Sequence, residues 1–260
     1  MANENILKTS VEGVFTITLN RPEKMNSITP EMHAALQEAF DAFAADDDLH
    51  VCVVRGAGDR AFCAGSDLGA FSADGGSPYP VNGYAGIAER YDLDKPVIAV
   101  VDGICLGGGF ELALSCDMIV ASGKAVFGLP EPKVGLIAIG GGIHRLVRQV
   151  GLKQAMGPLF TGANISAEDG YRMGFVSELV APADVEAKVL EICGQILANA
   201  PLAVRLSKEL AMWGLDQPTL ADANAGQVDH PSFVRWRKSE DAREGPRNFV
   251  EKKPQDWKGR

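Results

Sequence analysis

The chain has 260 residues, 46% of them apolar and 23% charged, enough to build a sizeable core without a disulfide or metal staple. Its formal charge of −9 disfavours a protein that binds bulk nucleic-acid backbone. The charge is uneven: from Arg235 to Arg260 nine Lys/Arg face five Asp/Glu, a local +4 that suits either solubility or a small phosphorylated ligand.

In chain order, Val14 to Leu19 alternates apolar residues with Thr and predicts a half-buried strand. Thr29 before Pro30 reads as a helix N-cap, with Met32, Leu36, Phe40 and Phe43 at helical spacing until Asp46-Asp47-Asp48. Val51 to Val54 reads as a buried strand, and a short apolar strand from Phe62 ends at Gly65, where Ser66 and Asp67 open the next segment. The stretch from Leu68 to Tyr84, rich in Gly, Ser and Pro, is long for a connection and is expected to be a functional loop or lid, or locally disordered. Val97 to Val101 is a further buried strand, after which Gly107-Gly108-Gly109 leads into a helix ending near Ser115. Short strands are expected at Met118–Ala121 and Ala125–Phe127, a helix from Gly151 to Phe160, and another capped by Ser166 with Asp169. Strand and helix alternate over roughly the first 180 residues, which argues an α/β domain. Beyond Asp184 the pattern is helical (Val185–Asn199, Pro201–Trp213, Pro218–Val228), a C-terminal helical layer.

The five cysteines are scattered and odd in number, and four of them sit in apolar runs and read as small buried hydrophobes. With no basic N-terminal region before an apolar run, they point to a reducing, cytoplasmic setting. Asp102, Glu111 and Asp117 interrupt the apolar region 97–121, so no membrane span is expected. His33, His50 and His230 are isolated, His144 reads as a plain helix residue, and no spacing suggests a metal site.

Four places carry chemistry. Gly107 to Gly109 leave backbone N–H groups unshielded at a helix N-terminus, where negative charge is favoured; the same glycines also suit a tight turn with close packing. Glu111, the only charged side chain in 104–116, is either satisfied by an Arg or by backbone donors, or kept in an apolar pocket for proton transfer. Glu131, between Pro130 and Pro132, is held on a stiff loop, either solvated or paired with Glu111 to divide acid and base roles. The N–H groups near Ser66 and at Gly108 would make an oxyanion hole if they converged.

Four segments together, Asn20-Arg-Pro-Glu-Lys-Met-Asn26, Phe62-Cys-Ala-Gly-Ser-Asp-Leu68, Gly103-Ile-Cys-Leu-Gly-Gly-Gly-Phe-Glu-Leu112 and Phe127-Gly-Leu-Pro-Glu131, resemble the crotonase (enoyl-CoA hydratase/isomerase) superfamily in order and spacing. The likeness continues through Gly140-Gly-Gly142 to Phe249-Val-Glu-Lys252. It implies an α/β spiral of ββα units (1–195) that binds acyl-CoA, followed by a helical oligomerisation region (196–260) building homotrimers or dimers of trimers. It implies oxyanion donors at the Ser66 and Gly108 backbone, with Ser66 standing where the family often has Ala. Glu111 and Glu131 match the hydratase pair, Glu111 activating water and Glu131 delivering a proton to Cα of a trans-2-enoyl-CoA. Lys24, Ala64, Asp67, Leu68, Phe249 and Lys252 match positions that contact CoA. The expected enzyme is an enoyl-CoA hydratase without metal or redox cofactor. Alternatives are another crotonase reaction, such as carnitinyl-type dehydration or enoyl isomerisation, or a non-catalytic binding homologue. Ala138 and Ile139 replace a Pro-Gly pair common in hydratases, so fatty-acid oxidation does not follow from the resemblance.

Overall fold

Two sheets run side by side, and the chain visits them alternately. The computed structural model describes residues 4–70 and 79–259. The larger sheet contains β1 (Ile6–Val11), β2 (Val14–Leu19), β3 (Val51–Gly56), β5 (Val97–Val101), β7 (Met118–Ser122) and β10 (Glu178–Val180), in the order β1-β2-β3-β5-β7-β10. The smaller contains β4 (Ala61–Cys63), β6 (Ile104–Leu106), β8 (Val126–Gly128) and β9 (Ile165–Ser166), in that order. Pairing is parallel except for β1 on β2 and β9 on β8. Successive strands β3–β4, β5–β6 and β7–β8 place one member in each sheet, and α2 (Gly108–Ser115) follows β6 directly. This is the expected spiral of ββα units.

Local chemistry explains the elements. In β2, Phe15, Ile17 and Leu19 are buried while the alternating residues are half-exposed. The Thr29 hydroxyl accepts the Met32 N–H and opens α1 (Pro30–Ala45), whose Met32, Leu36, Phe40 and Phe43 are fully buried. β3 is apolar from Val51 to Val54, where both faces are covered, and ends on the half-buried Arg55 and Gly56. Its Cys52 and Val54 enter the main core, and Val51 and Val53 meet Val185, Val189 and Ile192 of α6 (Val185–Leu197). Along the chain, α3 (Gly142–Val150) and α4 (Leu152–Thr161) come between β8 and β9, and α5 (Ala167–Met173) between β9 and β10, capped by Ser166 through the Asp169 N–H at 3.0 Å. After α6 come α7 (Pro201–Leu215), α8 (Leu220–Gly226), α9 (Pro231–Lys238) and α10 (Glu240–Val250).

Some elements were not foreseen. β1 carries only one buried residue, Ile6, because it is an edge strand, and so lacks a readable alternation. β9 and β10 are too short to show a period, and the charged α9 and α10 lack an apolar stripe of ordinary width. The eight residues 71–78 of the expected loop lie outside the described residues; of its ends, Leu68 is exposed and Tyr84 buried. All five cysteines are buried and free. Among the described residues no single helix is long and apolar enough to cross a membrane, and no cluster of His, Cys, Asp and Glu could hold a metal ion.

His33, read as isolated, fastens α1 to the segment around Tyr84. Its Nδ1 accepts the Ala85 N–H at 3.0 Å, and burial pushes its pKa down to about 4. The unfolded chain takes up a proton at this side chain below about 6.5, whereas the folded chain resists until about 4. Stability from this residue is therefore complete above pH 6.5 and falls by up to about 3 kcal/mol as the pH drops towards 4. Urea unfolding at pH 7.5 and 4.5 should show a loss that His33→Gln, which keeps an acceptor but cannot titrate, removes in large part. An equal loss in the variant would assign it to other groups.

Candidate active site

The end of β6 meets the end of β4. Gly107 takes a positive φ of 54° at the turn into α2, and each of the three glycines makes a close approach. A Cβ on Gly107 would lie 3.2 Å from Glu131 Oε1, one on Gly108 2.0 Å from the Tyr84 hydroxyl, and one on Gly109 2.2 Å from the Cys63 carbonyl oxygen. The glycines thus serve close packing, and they also leave the first-turn N–H of Gly108 without an intrahelical acceptor.

β4 leads into Gly65, whose φ is 99° and whose missing Cβ would stand 3.2 Å from Gly108 N. Ser66 bridges Ile28 in parallel fashion: the Ile28 N–H donates to the Gly65 carbonyl at 2.8 Å, and the Asp67 N–H donates to the Ile28 carbonyl at 2.9 Å. In such a bridge the N–H of the middle residue points away from its partner, so the Ser66 N–H is directed away from Ile28. The backbones of 65–66 and 107–108 are therefore brought together, the arrangement an oxyanion hole needs.

Glu111 stands in the first turn of α2, 3% exposed. Its partners are backbone groups rather than an Arg. The Gly142 N–H donates to Oε1 at 2.9 Å, and Gly140 supplies a second backbone contact. Gly140 and Gly142 pass so close that a Cβ on either would lie within 2.8 Å of the Glu111 side chain. Burial, with the charge of Glu131 assisting, still outweighs these donors and raises the Glu111 pKa to about 7. The site therefore gives this carboxylate backbone support and also a pKa suited to proton transfer.

Glu131 opens a 3-10 turn, Glu131–Val134, immediately after β8 and Leu129-Pro130. It is not a solvated loop residue. Its Oε2 is buried with no protein partner among the described residues, and burial raises its pKa. Tyr79 lies near enough to both glutamates that their charges, added to burial, raise its phenol pKa.

The remaining residues matched by the resemblance fall into two groups. The Ala64 N–H donates to the Met25 carbonyl at 3.0 Å, which brings Ala64 beside the turn holding the exposed Lys24. Asp67 is held by Arg21 at 3.0 Å, and that hydrogen bond, with the Gly69 and Ala70 N–H groups, keeps its pKa low. Leu68 is 60% exposed beside it. Among the described residues no hydrogen bond or ion pair joins Phe249 or Lys252 to Lys24, Ala64, Asp67 or Leu68. Sequence reasoning missed Tyr84, Tyr79 and Asn26. Asn26 is wholly buried, donating to the Ala57 and Ala61 carbonyls and accepting the Arg21 N–H, and so anchors the segment leading to Ala64. Asn26 closes the quoted segment Asn20–Asn26, but its burial and its positive φ of 54° are visible only in the structure.

Residues 9–260 match the family model for enoyl-CoA hydratase/isomerase. A carnitinyl-CoA dehydratase from Salmonella typhi is 38% identical over 99% of this chain and 100% of its own length. An enoyl-CoA hydratase from Mycobacterium tuberculosis H37Rv superposes with a TM-score of 0.91 at 35% identity, covering 99% of this chain and 100% of that one. One from Bacillus anthracis gives 0.89 at 32% identity, with the same coverage.

Proposed function

The chain belongs to the enoyl-CoA hydratase/isomerase family of the crotonase superfamily, and from that premise we propose that it reversibly adds water across C2–C3 of a trans-2-enoyl-CoA. It is an enzyme of the crotonase family acting on CoA thioesters. The observation that carries the finer reading is the buried Glu111 and the half-buried Glu131, whose Oε2 is enclosed and whose charge acts on Glu111, beside the adjoining backbones of Ser66 and Gly108.

In this reading the thioester oxygen accepts from the Ser66 and Gly108 N–H groups, which stabilise the enolate that forms when Cβ is attacked. Ionised Glu111 takes a proton from water as the oxygen bonds to Cβ, and protonated Glu131 gives its proton to Cα. The C2–C3 π bond becomes the enolate and then the Cα–H bond, and the pair ends with its proton exchanged from one carboxylate to the other. CoA enters as part of the substrate, and the chemistry needs no redox step. Lys24, Ala64, Asp67 and Leu68 would meet the CoA moiety from the same chain. Phe249 and Lys252 would do so from a neighbouring subunit of a homotrimer or dimer of trimers, for which exposed Leu215, Leu220, Phe249 and Val250 supply apolar surface. The division 1–195 and 196–260 remains our proposed boundary between spiral and oligomerisation region.

Hydration needs one proton on the pair. The fraction in that form falls once the pH passes the raised Glu111 pKa of about 7 and falls again when both carboxylates are protonated. The expected kcat/KM profile with crotonyl-CoA is therefore bell-shaped, declining tenfold per unit well above pH 7. A profile flat from pH 6 to 9 would remove the shared-proton mechanism.

Carnitinyl-type dehydration is the second reading, favoured by the 38% identity to the Salmonella enzymes. Tyr79 beside two carboxylates is also a surface on which a quaternary ammonium group would be welcome. Comparing kcat/KM for 3-hydroxybutyryl-CoA and carnitinyl-CoA separates the two, since only the second reading expects preference for the cationic acyl group.

A further inference from the structure

Tyr84 is 2% exposed, and the reaction outlined above makes no use of it. Its hydroxyl lies 3.2 Å from Ser66 Oγ and so close to Gly108 that a Cβ there would come within 2.0 Å of it. One oxygen atom therefore touches both residues whose N–H groups form the proposed oxyanion hole. The Tyr84 ring also packs on Gly140, where a Cβ would stand 2.9 Å from Tyr84 Cβ and Cγ, and Gly140 belongs to the cradle of Glu111.

Tyr84 is itself held from several sides. The His33 ring meets it edge-on with centroids 4.7 Å apart, and Tyr79 does so at 5.3 Å. The next residue, Ala85, has a φ of 54° and donates its N–H to His33 Nδ1. Gly86 presses on α1 so tightly that a Cβ would lie 2.5 Å from Gln37 Cα. A backbone oriented against its ordinary preference is retained where the surroundings over-determine it. Burial raises the phenol pKa well above its usual value, so the hydroxyl stays protonated and neutral.

We propose that Tyr84 is a positioning residue that fixes the two halves of the oxyanion hole to each other, acting through the Ser66 hydroxyl. Backbone donors stabilise an enolate only when held near 2.7–3.1 Å from it, and neither Gly65 nor Gly108 has a side chain that could lock its segment. The Ser66 hydroxyl is the only hydrogen-bond partner that the described residues give the Tyr84 hydroxyl. The inference rests on the proposed enolate chemistry.

The test uses Tyr84→Phe, Ser66→Ala and the double variant in the full-length protein. Two readouts are followed: steady-state hydration of crotonyl-CoA, and the fraction of bound acetoacetyl-CoA present as its ultraviolet-absorbing enolate across pH. The enolate reports the oxyanion hole without any hydration step. Each single variant should lower kcat about tenfold, leave KM within twofold, and raise the apparent pKa of the bound enol by about one unit; the double variant should lose no more than either single. Single-variant losses that multiply, an unmoved enol pKa, or a change confined to KM would overturn the proposal. Wild type that enolises bound acetoacetyl-CoA but does not hydrate crotonyl-CoA would overturn the hydratase reading, while an enol pKa that shifts in the variants would uphold the role of Tyr84.

Discussion

Replacing Glu111 with Gln is expected to lower kcat for enoyl-CoA hydration by at least about a thousandfold, because the variant loses its base while its shape is kept. Oε1 of the amide can still accept the Gly142 N–H, so the cradle is preserved. The same substitution should stabilise the protein. A carboxyl whose folded pKa is raised to about 7 from 4.5 adds stability in full below pH 4.5, and that contribution is lost as the pH rises through 7. At pH 8 the ionised Glu111 therefore costs the fold up to about 3 kcal/mol, which Gln avoids. Chemical denaturation at pH 8 and pH 4.5 should show the variant ahead at the first and level with wild type at the second. A variant that is less stable at pH 8 would identify Glu111 as a structural anchor. Gain in stability with loss of activity is what a buried group retained for chemistry predicts.

Gly108→Ala should lower kcat by about a hundredfold to a thousandfold, comparable to losing an oxyanion donor. The added methyl would stand 2.0 Å from the Tyr84 hydroxyl and 2.2 Å from Cζ. Tyr84 is buried against His33 and tied to Ser66, so the start of α2 has to shift, and the Gly108 N–H moves with it. Overpacking of this kind costs about 1–3 kcal/mol of stability, which leaves a folded protein in which activity can be read. Gly157→Ala, within α4 and with open space where its Cβ would go, is the control that should keep both activity and stability. Wild-type turnover in Gly108→Ala would mean that the N–H at this position does not hold the thioester oxygen.

Much of this architecture was legible because its causes are local. Period two in Val14–Leu19, Thr29-Pro30 ahead of an apolar stripe, and Ser166 with Asp169 each announce an element within a few residues, and each is present. The apolar runs of β3 and β5 also announced burial on both faces. What was illegible depends on distance along the chain. Nothing near Glu131 says that its carboxylate turns inward beside Gly107, because that is decided by how β8 lies along β6. His33 and Ala85 are 52 residues apart, and Ser66 and Tyr84 are 18 apart, so neither bond leaves a local trace. The glycines at 107–109 allowed either an anion site or tight packing on sequence grounds; in the fold each is tightly packed, and the packing itself presents the Gly108 N–H.

In the proposed reaction this pair of carboxylates and these two backbone segments add water to an enoyl thioester in syn fashion. Turnover of trans-crotonyl-CoA in deuterium oxide, with the product analysed by nuclear magnetic resonance, tests it most directly. The expected wild-type product is 3-hydroxybutyryl-CoA carrying one deuterium at C2, on the same face as the new hydroxyl, with product formation lost in both Glu111→Gln and Glu131→Gln. Deuterium at C4 with the double bond moved, or unimpaired hydration in either variant, would contradict it.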